Sequence, residues 1–342
     1  MMNNAKKYNV RLIIAVILLL SVGSFTILKT QEFNQNDNLI EVLHDLGQDY
    51  PDHYIEKPDS IDIKRGYDLI HTGKTKPPDG FASKAISKFY TCTSCHNVER
   101  EDPDLTLVDQ DARLEYAIEN DLPYLQGSTF WGIVNRESWY NDDYILKYGS
   151  LVEDAKNSLK GSIQLCATVC SQGRELEEWE MKSILSYLST LQMKMKDLEM
   201  NDTDIQKMNS LAKSNPDSAI AFIKSHYLTK SPATFSELPE SKEKGYPLEG
   251  RPKYGKAIYE LGCQHCHHAY GESDLVLDNS VLTFKWLKKH MPESSKKSIY
   301  EIIRNGSYSE LGHKEYMPNY TLEKMSHQQV EDLRAYIESN LK

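Results

Sequence analysis

Apolar positions recur at helical spacing in two widely separated stretches. Val330, Leu333, Tyr336 and Ile337 follow an i, i+3, i+6, i+7 pattern behind Ser326, a residue type suited to accept the free amides that begin a helix. Met181, Ile184, Tyr187 and Leu188 repeat that pattern far upstream. A shorter helical pattern precedes each: Arg65-Gly66-Tyr67-Asp68-Leu69-Ile70 in the first half and Tyr254-Gly255-Lys256-Ala257-Ile258-Tyr259-Glu260-Leu261 in the second. Between them, residues 199–230 keep Met208, Leu211, Ile220, Phe222 and Ile223 as apolar positions. Strand-type alternation is weak throughout. The pattern predicts an all-α architecture with at most a short hairpin or two, in which one domain plan is used twice.

The polar stretches divide the chain. Residues 31–59 are polar and acidic and suit a tether. Residues 231–252, rich in Pro, Glu, Lys, Ser and Gly, read as a linker. A Gly/Pro/Lys-rich insertion at 72–80 separates the first short helix from the cysteines downstream of it. The predicted divisions are an N-terminal membrane anchor or signal segment (1–30), a tether (31–59), a first domain (60–200), a helical connector and linker (201–249) and a second domain (250–342).

One stretch reads as membrane-embedded. Residues 12–28 carry no charge and follow Lys6, Lys7 and Arg11. Seventeen helical residues span roughly 25 Å, the short end for crossing a bilayer. Positive charge ahead of the run holds the N-terminus in the cytoplasm and sends the remainder across. A cleaved signal peptide looks similar, but no clean small-residue cleavage site comes after the run, so an uncleaved anchor is favoured. Either way the rest of the chain is exported. Its formal charge, −10 from 50 acidic and 40 basic residues, argues against nucleic acid, which needs a clustered positive surface.

Six cysteines stand at 92, 95, 166, 170, 263 and 266. In an exported chain three disulfides are the default expectation. The spacing of four of them overturns it: Cys92-Thr93-Ser94-Cys95-His96 and Cys263-Gln264-His265-Cys266-His267 both read C-x-x-C-H. Two thiols at that spacing add across the vinyl groups on one haem edge, and the adjacent histidine ligates the iron from below. A redox-active C-x-x-C leaves both histidines unexplained, and so does a four-cysteine zinc site. The motifs therefore predict two covalently bound haem c groups, attached at Cys92, Cys95, Cys263 and Cys266, with His96 and His267 as axial ligands.

The second domain resembles class I cytochrome c over residues 250–342. The resemblance rests on Gly255, Tyr259, Cys263, Cys266, His267, Met317-Pro318-Asn319-Tyr320 and the closing helix of residues 328–337. It implies Met317 as the distal ligand, a soft thioether that favours ferrous iron. The first domain has no Met-Pro before its closing helix; the corresponding stretch holds Cys166 and Cys170. Three readings stand open: a disulfide, a thiolate ligand to the first iron, or packing thiols with Met181, Met193 or Met195 ligating instead. For the thiolate, Cys170 is preferred, because Ser171-Gln172-Gly173 suits the turn of a ligand loop. In its 66–72 segment and long approach to Cys92, this domain is similar to thiosulfate dehydrogenases and related sulfur-oxidising dihaem cytochromes, in which Cys/His ligation occurs.

The fold class expected is thus two cytochrome c-like domains in tandem behind one transmembrane helix. The expected role is electron transfer between respiratory or other redox partner proteins at the periplasmic face of the inner membrane, with no catalytic residue assigned. The alternatives are a dihaem enzyme oxidising a small sulfur species such as thiosulfate at the first haem, and behind it a dihaem peroxidase. The aromatic run holding Trp131 and Trp139 reads first as haem-packing core. Arg136, Lys147 and Arg174 are the nearest candidates for holding an anion, and Arg136 and Arg174 for pairing with a haem propionate.

Overall fold

In a computed structural model, which describes residues 33–81, 83–307 and 316–341, the chain is helical, and β pairing among the described residues is limited to isolated bridges. The predicted anchor, residues 1–30, lies outside the described residues. No helix among the described residues is long and apolar enough to cross a membrane. In chain order the helices are α1 (Leu39–Asp45), α2 (Ser60–Thr72), α3 (Gln110–Glu119), α4 (Asp142–Tyr148), α5 (Leu159–Leu165), α6 (Glu178–Thr190), α7 (Asp202–Ser214), α8 (Pro216–Lys224), α9 (Pro252–Ala257), α10 (Val281–His290), α11 (Ile299–Asn305) and α12 (His327–Ser339).

One helix crossing occurs twice, and a glycine makes each possible. α2 packs on α6 at Gly66, where an added Cβ would fall 2.0 Å from the Ser183 carbonyl oxygen and 2.8 Å from Tyr187 Cβ. α9 packs on α12 at Gly255, where it would fall 1.9 Å from the Asp332 carbonyl oxygen and 2.8 Å from Tyr336 Cβ. Only a residue without a side chain lets two backbones approach that closely. The stripes read from the sequence face these crossings: Val330, Leu333, Tyr336 and Ile337 are buried, as are Ile184 and Leu188. Ser326 caps α12, accepting from the Gln329 amide at 3.2 Å.

Two apolar cores result. One gathers Leu69, Ile70, Val134, Trp139, Leu185 and Leu188; the other gathers Ile258, Tyr259, Phe284, Tyr300, Leu333 and Ile337. The division between them departs from the expected boundary. α3 and the residues after it, expected in the first domain, place Leu114, Ala117, Leu122 and Tyr124 in the second core. The Tyr124 amide donates to the Leu261 carbonyl at 3.0 Å and its hydroxyl to Gln329 Oε1 at 3.0 Å. A buried ion cluster fixes the exchange. Glu101 takes Arg113 at 3.3 Å and Lys324 at 2.5 Å, with its side chain 2% exposed. The described residues from Asn34 onward form one compact unit rather than two separate domains.

The expected tether and linker also fold. Leu39, Ile40, Val42 and Leu43 of α1 are buried, because four apolar residues within an acidic stretch give it one face to hide. In the linker, Tyr246 enters the second core, stacks on His327 at 4.0 Å and donates from its hydroxyl to the Glu237 carbonyl. The connector forms α7 and α8, with Met208 and Ile223 buried, and Lys224 pairs with Glu137 of the first half.

Candidate haem sites

The second motif leaves the end of a helix. α9 runs into a π turn, Ile258–Cys263, and then a short turn, Gln264–Cys266. The widened turn inserts a residue into the helical path just before the motif. The His267 amide donates to the Cys263 carbonyl at 3.0 Å, closing the pentapeptide on itself. His267 Nδ1 donates to the Leu275 carbonyl at 2.8 Å. That bond fixes the tautomer and leaves the Nε2 lone pair for a metal. Burial lowers the pKa of His267, which favours the neutral imidazole that ligation needs.

Met317 lies 50 positions on in the numbering, yet it shares a cleft of about 540 Å³ with Cys263 and His267. Leu277, Trp286 and Ile303 help to line it. Ser307 clamps the methionine: its amide donates to the Met317 carbonyl and its hydroxyl accepts from the Met317 amide, both at 2.8 Å. Gly306, at φ 67°, turns the chain at that point, where a Cβ would fall 2.6 Å from the Met317 carbonyl oxygen. The Cys263 thiol, a histidine nitrogen and a thioether in one apolar cleft, with Cys266 beside His267 in the motif, form a donor set that fits a covalently held haem.

The first motif is built on a 3₁₀ turn, Cys92–Ser94. The His96 amide donates to the Cys92 carbonyl at 3.1 Å, and Nδ1 donates to the Ser128 carbonyl at 2.6 Å. Phe130 stacks on the His96 ring with 4.6 Å between centroids. Gly127 admits this approach, since a Cβ there would fall 2.6 Å from His96 Nδ1. Burial lowers the His96 pKa as well. It pushes the Cys92 thiol up to about 11, those of Cys263 and Cys266 up to about 12, and Cys95 higher still. All four attachment thiols are partly buried, and their raised pKa values favour the uncharged form.

Across from the first motif, α5 continues into a π turn, Cys166–Cys170. All six cysteines are free thiols in the structure. The Cys166 thiol donates to the Cys170 sulfur, which holds Cys170 below its usual range and Cys166 well above it. Tyr316, the residue before Met317, also hydrogen-bonds to Cys170. Cys166 is close enough to Cys92 and Cys95 to act on them electrostatically, and Tyr140, Tyr144 and Tyr148 lie near Cys170. Met193 points elsewhere: it packs over Gly132 and lines a separate cleft of about 660 Å³ with Arg136, Trp131 and Ser128.

The three cations considered as anion holders are dispersed. Arg174 is taken by Glu180, with bonds of 2.6 and 2.7 Å, which removes it as a propionate partner. Arg136 donates to Ser231 Oγ at 2.6 Å, and Lys147 lies over the Phe235 ring at 4.3 Å. Trp139 is core, donating from its indole to the Ile133 carbonyl, while Trp131 stands beside Arg100 at the separate cleft. Sequence reasoning missed the carbonyls of Ser128 and Leu275, which carry no side-chain signature. It also missed Glu272, which receives a hydrogen bond from Ser94 in the opposite motif at 2.7 Å.

Comparison with known proteins adds one match: a family model described as cytochrome c covers residues 252–340. No curated protein matches the chain, and no solved structure does. That match supports a cytochrome c domain in the C-terminal part of the chain, and with it a covalently bound haem c and a role in electron transfer.

Proposed function

We propose that the chain is a dihaem c-type cytochrome that carries electrons between redox partner proteins on the outer side of a membrane, tethered there by residues 12–28. The observation that carries this reading is the repetition of one constellation. In each half a glycine-centred crossing of the first and last helices accompanies a C-x-x-C-H histidine whose Nδ1 donates to a main-chain carbonyl, Ser128 or Leu275. Since residues 252–340 form a cytochrome c domain, the same constellation in the first half supports a second haem there.

The bound haem supplies a one-electron couple; the chain's residues hold it and set its surroundings. Cys263 and Cys266 would anchor the second haem, with His267 and Met317 as its axial ligands. Cys92 and Cys95 would anchor the first, with His96 on one side and Cys170 on the other. Cys170 is preferred over Cys166 because it ends the π turn beside the Ser171-Gln172-Gly173 bend, where a ligand loop needs its turn, and because its neighbours hold its pKa below the usual range. A disulfide between the two cysteines is the competing reading. The carrier is favoured over a sulfur-oxidising enzyme because Arg136, Lys147 and Arg174 each have a different partner, and no two of them share one.

The test is haem content and turnover of the full chain matured with its haem. Two haems per polypeptide by pyridine haemochrome, with negligible thiosulfate oxidation, is the expected result. One haem per polypeptide removes the dihaem reading, and enzyme-like thiosulfate turnover removes the carrier. Low-temperature EPR of the oxidised protein tests Cys170: a low-spin thiolate signal is expected, and two His/Met-type signals exclude it.

A further inference from the structure

The two attachment motifs belong to different cores, yet they touch. Cys266 Sγ lies 3.6 Å from the Ser94 carbonyl oxygen, and His265 Nε2 lies 3.4 Å from the Thr93 carbonyl oxygen. Ser94, only 2% exposed, donates from its hydroxyl to Glu272 Oε1 at 2.7 Å. Glu272 is also close enough to the Cys266 thiol of its own motif and to Cys95 of the other to act on both electrostatically. One carboxylate thus faces a sulfur of each motif.

Attachment chemistry gives that placement a consequence. A thioether sulfur marks the edge of the haem it holds, so a charge beside Cys95 and Cys266 lies beside both haem edges. Net charge near a haem moves its reduction potential, because a negative group favours the ferric state over the ferrous one. We propose that Glu272, held by Ser94, is a charge shared by the two haem sites and sets both potentials together. This rests on the dihaem reading above. It assigns Glu272 a tuning role rather than a catalytic one.

Spectroelectrochemical titration of the haem-loaded full chain tests it. Glu272→Gln is expected to raise both midpoint potentials, and Glu272→Asp, which keeps the charge, to return both toward the parent values. Ser94→Ala keeps the carboxylate but releases its hold, and is expected to raise both by less than Glu272→Gln does. Glu260→Gln serves as a control, since Glu260 pairs with Lys256 on the second half's own π turn; the first haem's potential is expected to stay in place. A shift confined to one haem in Glu272→Gln, or no shift, overturns the proposal, as does a joint rise in the Glu260→Gln control. Haem content of the same samples separates the two failures. Two haems with unmoved potentials sinks the shared charge alone, whereas one haem per chain sinks the dihaem reading beneath it.

Discussion

His96 and His267 are each held by a carbonyl, at 2.6 Å and 2.8 Å, and each comes after a helix pinned by a glycine crossing. The far sides differ. Met317 faces an apolar cleft and is clamped by Ser307. Cys170 lies on a π turn, accepts a hydrogen bond from Cys166 and has tyrosines around it. On the proposed dihaem reading, the proximal side depends on main-chain geometry, which any sequence with the motif can supply; the distal side depends on which side chain a loop brings. A repeated scaffold can thus keep one axial position constant while the other is free to vary, and it is the variable position that sets the chemistry.

Removing the attachments of one half at a time has the largest expected effect on that likeness. Cys92→Ala with Cys95→Ala, and Cys263→Ala with Cys266→Ala, are each expected to lower haem content from two per chain to one, measured by haemochrome and intact mass. Loss from only the second pair would leave the first half without a haem.

Next in size is the ion cluster that joins the halves. Glu101→Gln leaves Arg113 and Lys324 buried without their carboxylate and is expected to cost about 3–5 kcal/mol in denaturant unfolding. Burial alone would raise the Glu101 pKa, but Arg113 and Lys324 outweigh it and hold the carboxyl far below its usual range. A depressed folded pKa stabilises the fold above the unfolded value, near 4.3, and that contribution falls away as pH drops below it. The parent is therefore expected to lose stability on acidification below about pH 4.3, and Glu101→Gln to show a flatter acid limb.

The glycine crossings probe how alike the two halves are. Gly66→Ala and Gly255→Ala each force a Cβ onto a main-chain carbonyl that cannot turn aside, and each is expected to cost roughly 1–3 kcal/mol or more by thermal unfolding. Near-equal costs support equivalent crossings; a mild effect at Gly66 alone would show the first to be looser. The smallest effect is expected at Lys256, whose pairing with Glu260 at 3.7 Å lies in the open, with side chains 57% and 39% exposed. Its replacement by Ala should cost about 0.5 kcal/mol or less in the same assay.

Some of this could be read along the chain. The closing stripes, the Ser326 cap and the connector helices are local patterns, and they form the helices expected of them; both C-x-x-C-H motifs are equally local. Pairing Met317 with His267 needed the class I resemblance, because the loop that brings them together spans many residues. Arg174 looked available for a propionate because sequence does not show that Glu180 is already bonded to it. The acidic stretch at 31–59 looked like a tether because its composition outweighs the four apolar residues that bury α1.

Local pattern was therefore enough for the helical class and for proposing the covalent chemistry of four cysteines and two histidines, because helix period and attachment spacing are set within a few residues. It took tertiary structure to decide that α3 completes the second core, that Glu101 binds cations from both halves, and that Ser94 and Glu272 bring one motif against the other. Those outcomes depend on distances between residues remote in the chain, and a charge or a buried side chain acquires its role only from the neighbours that folding places beside it.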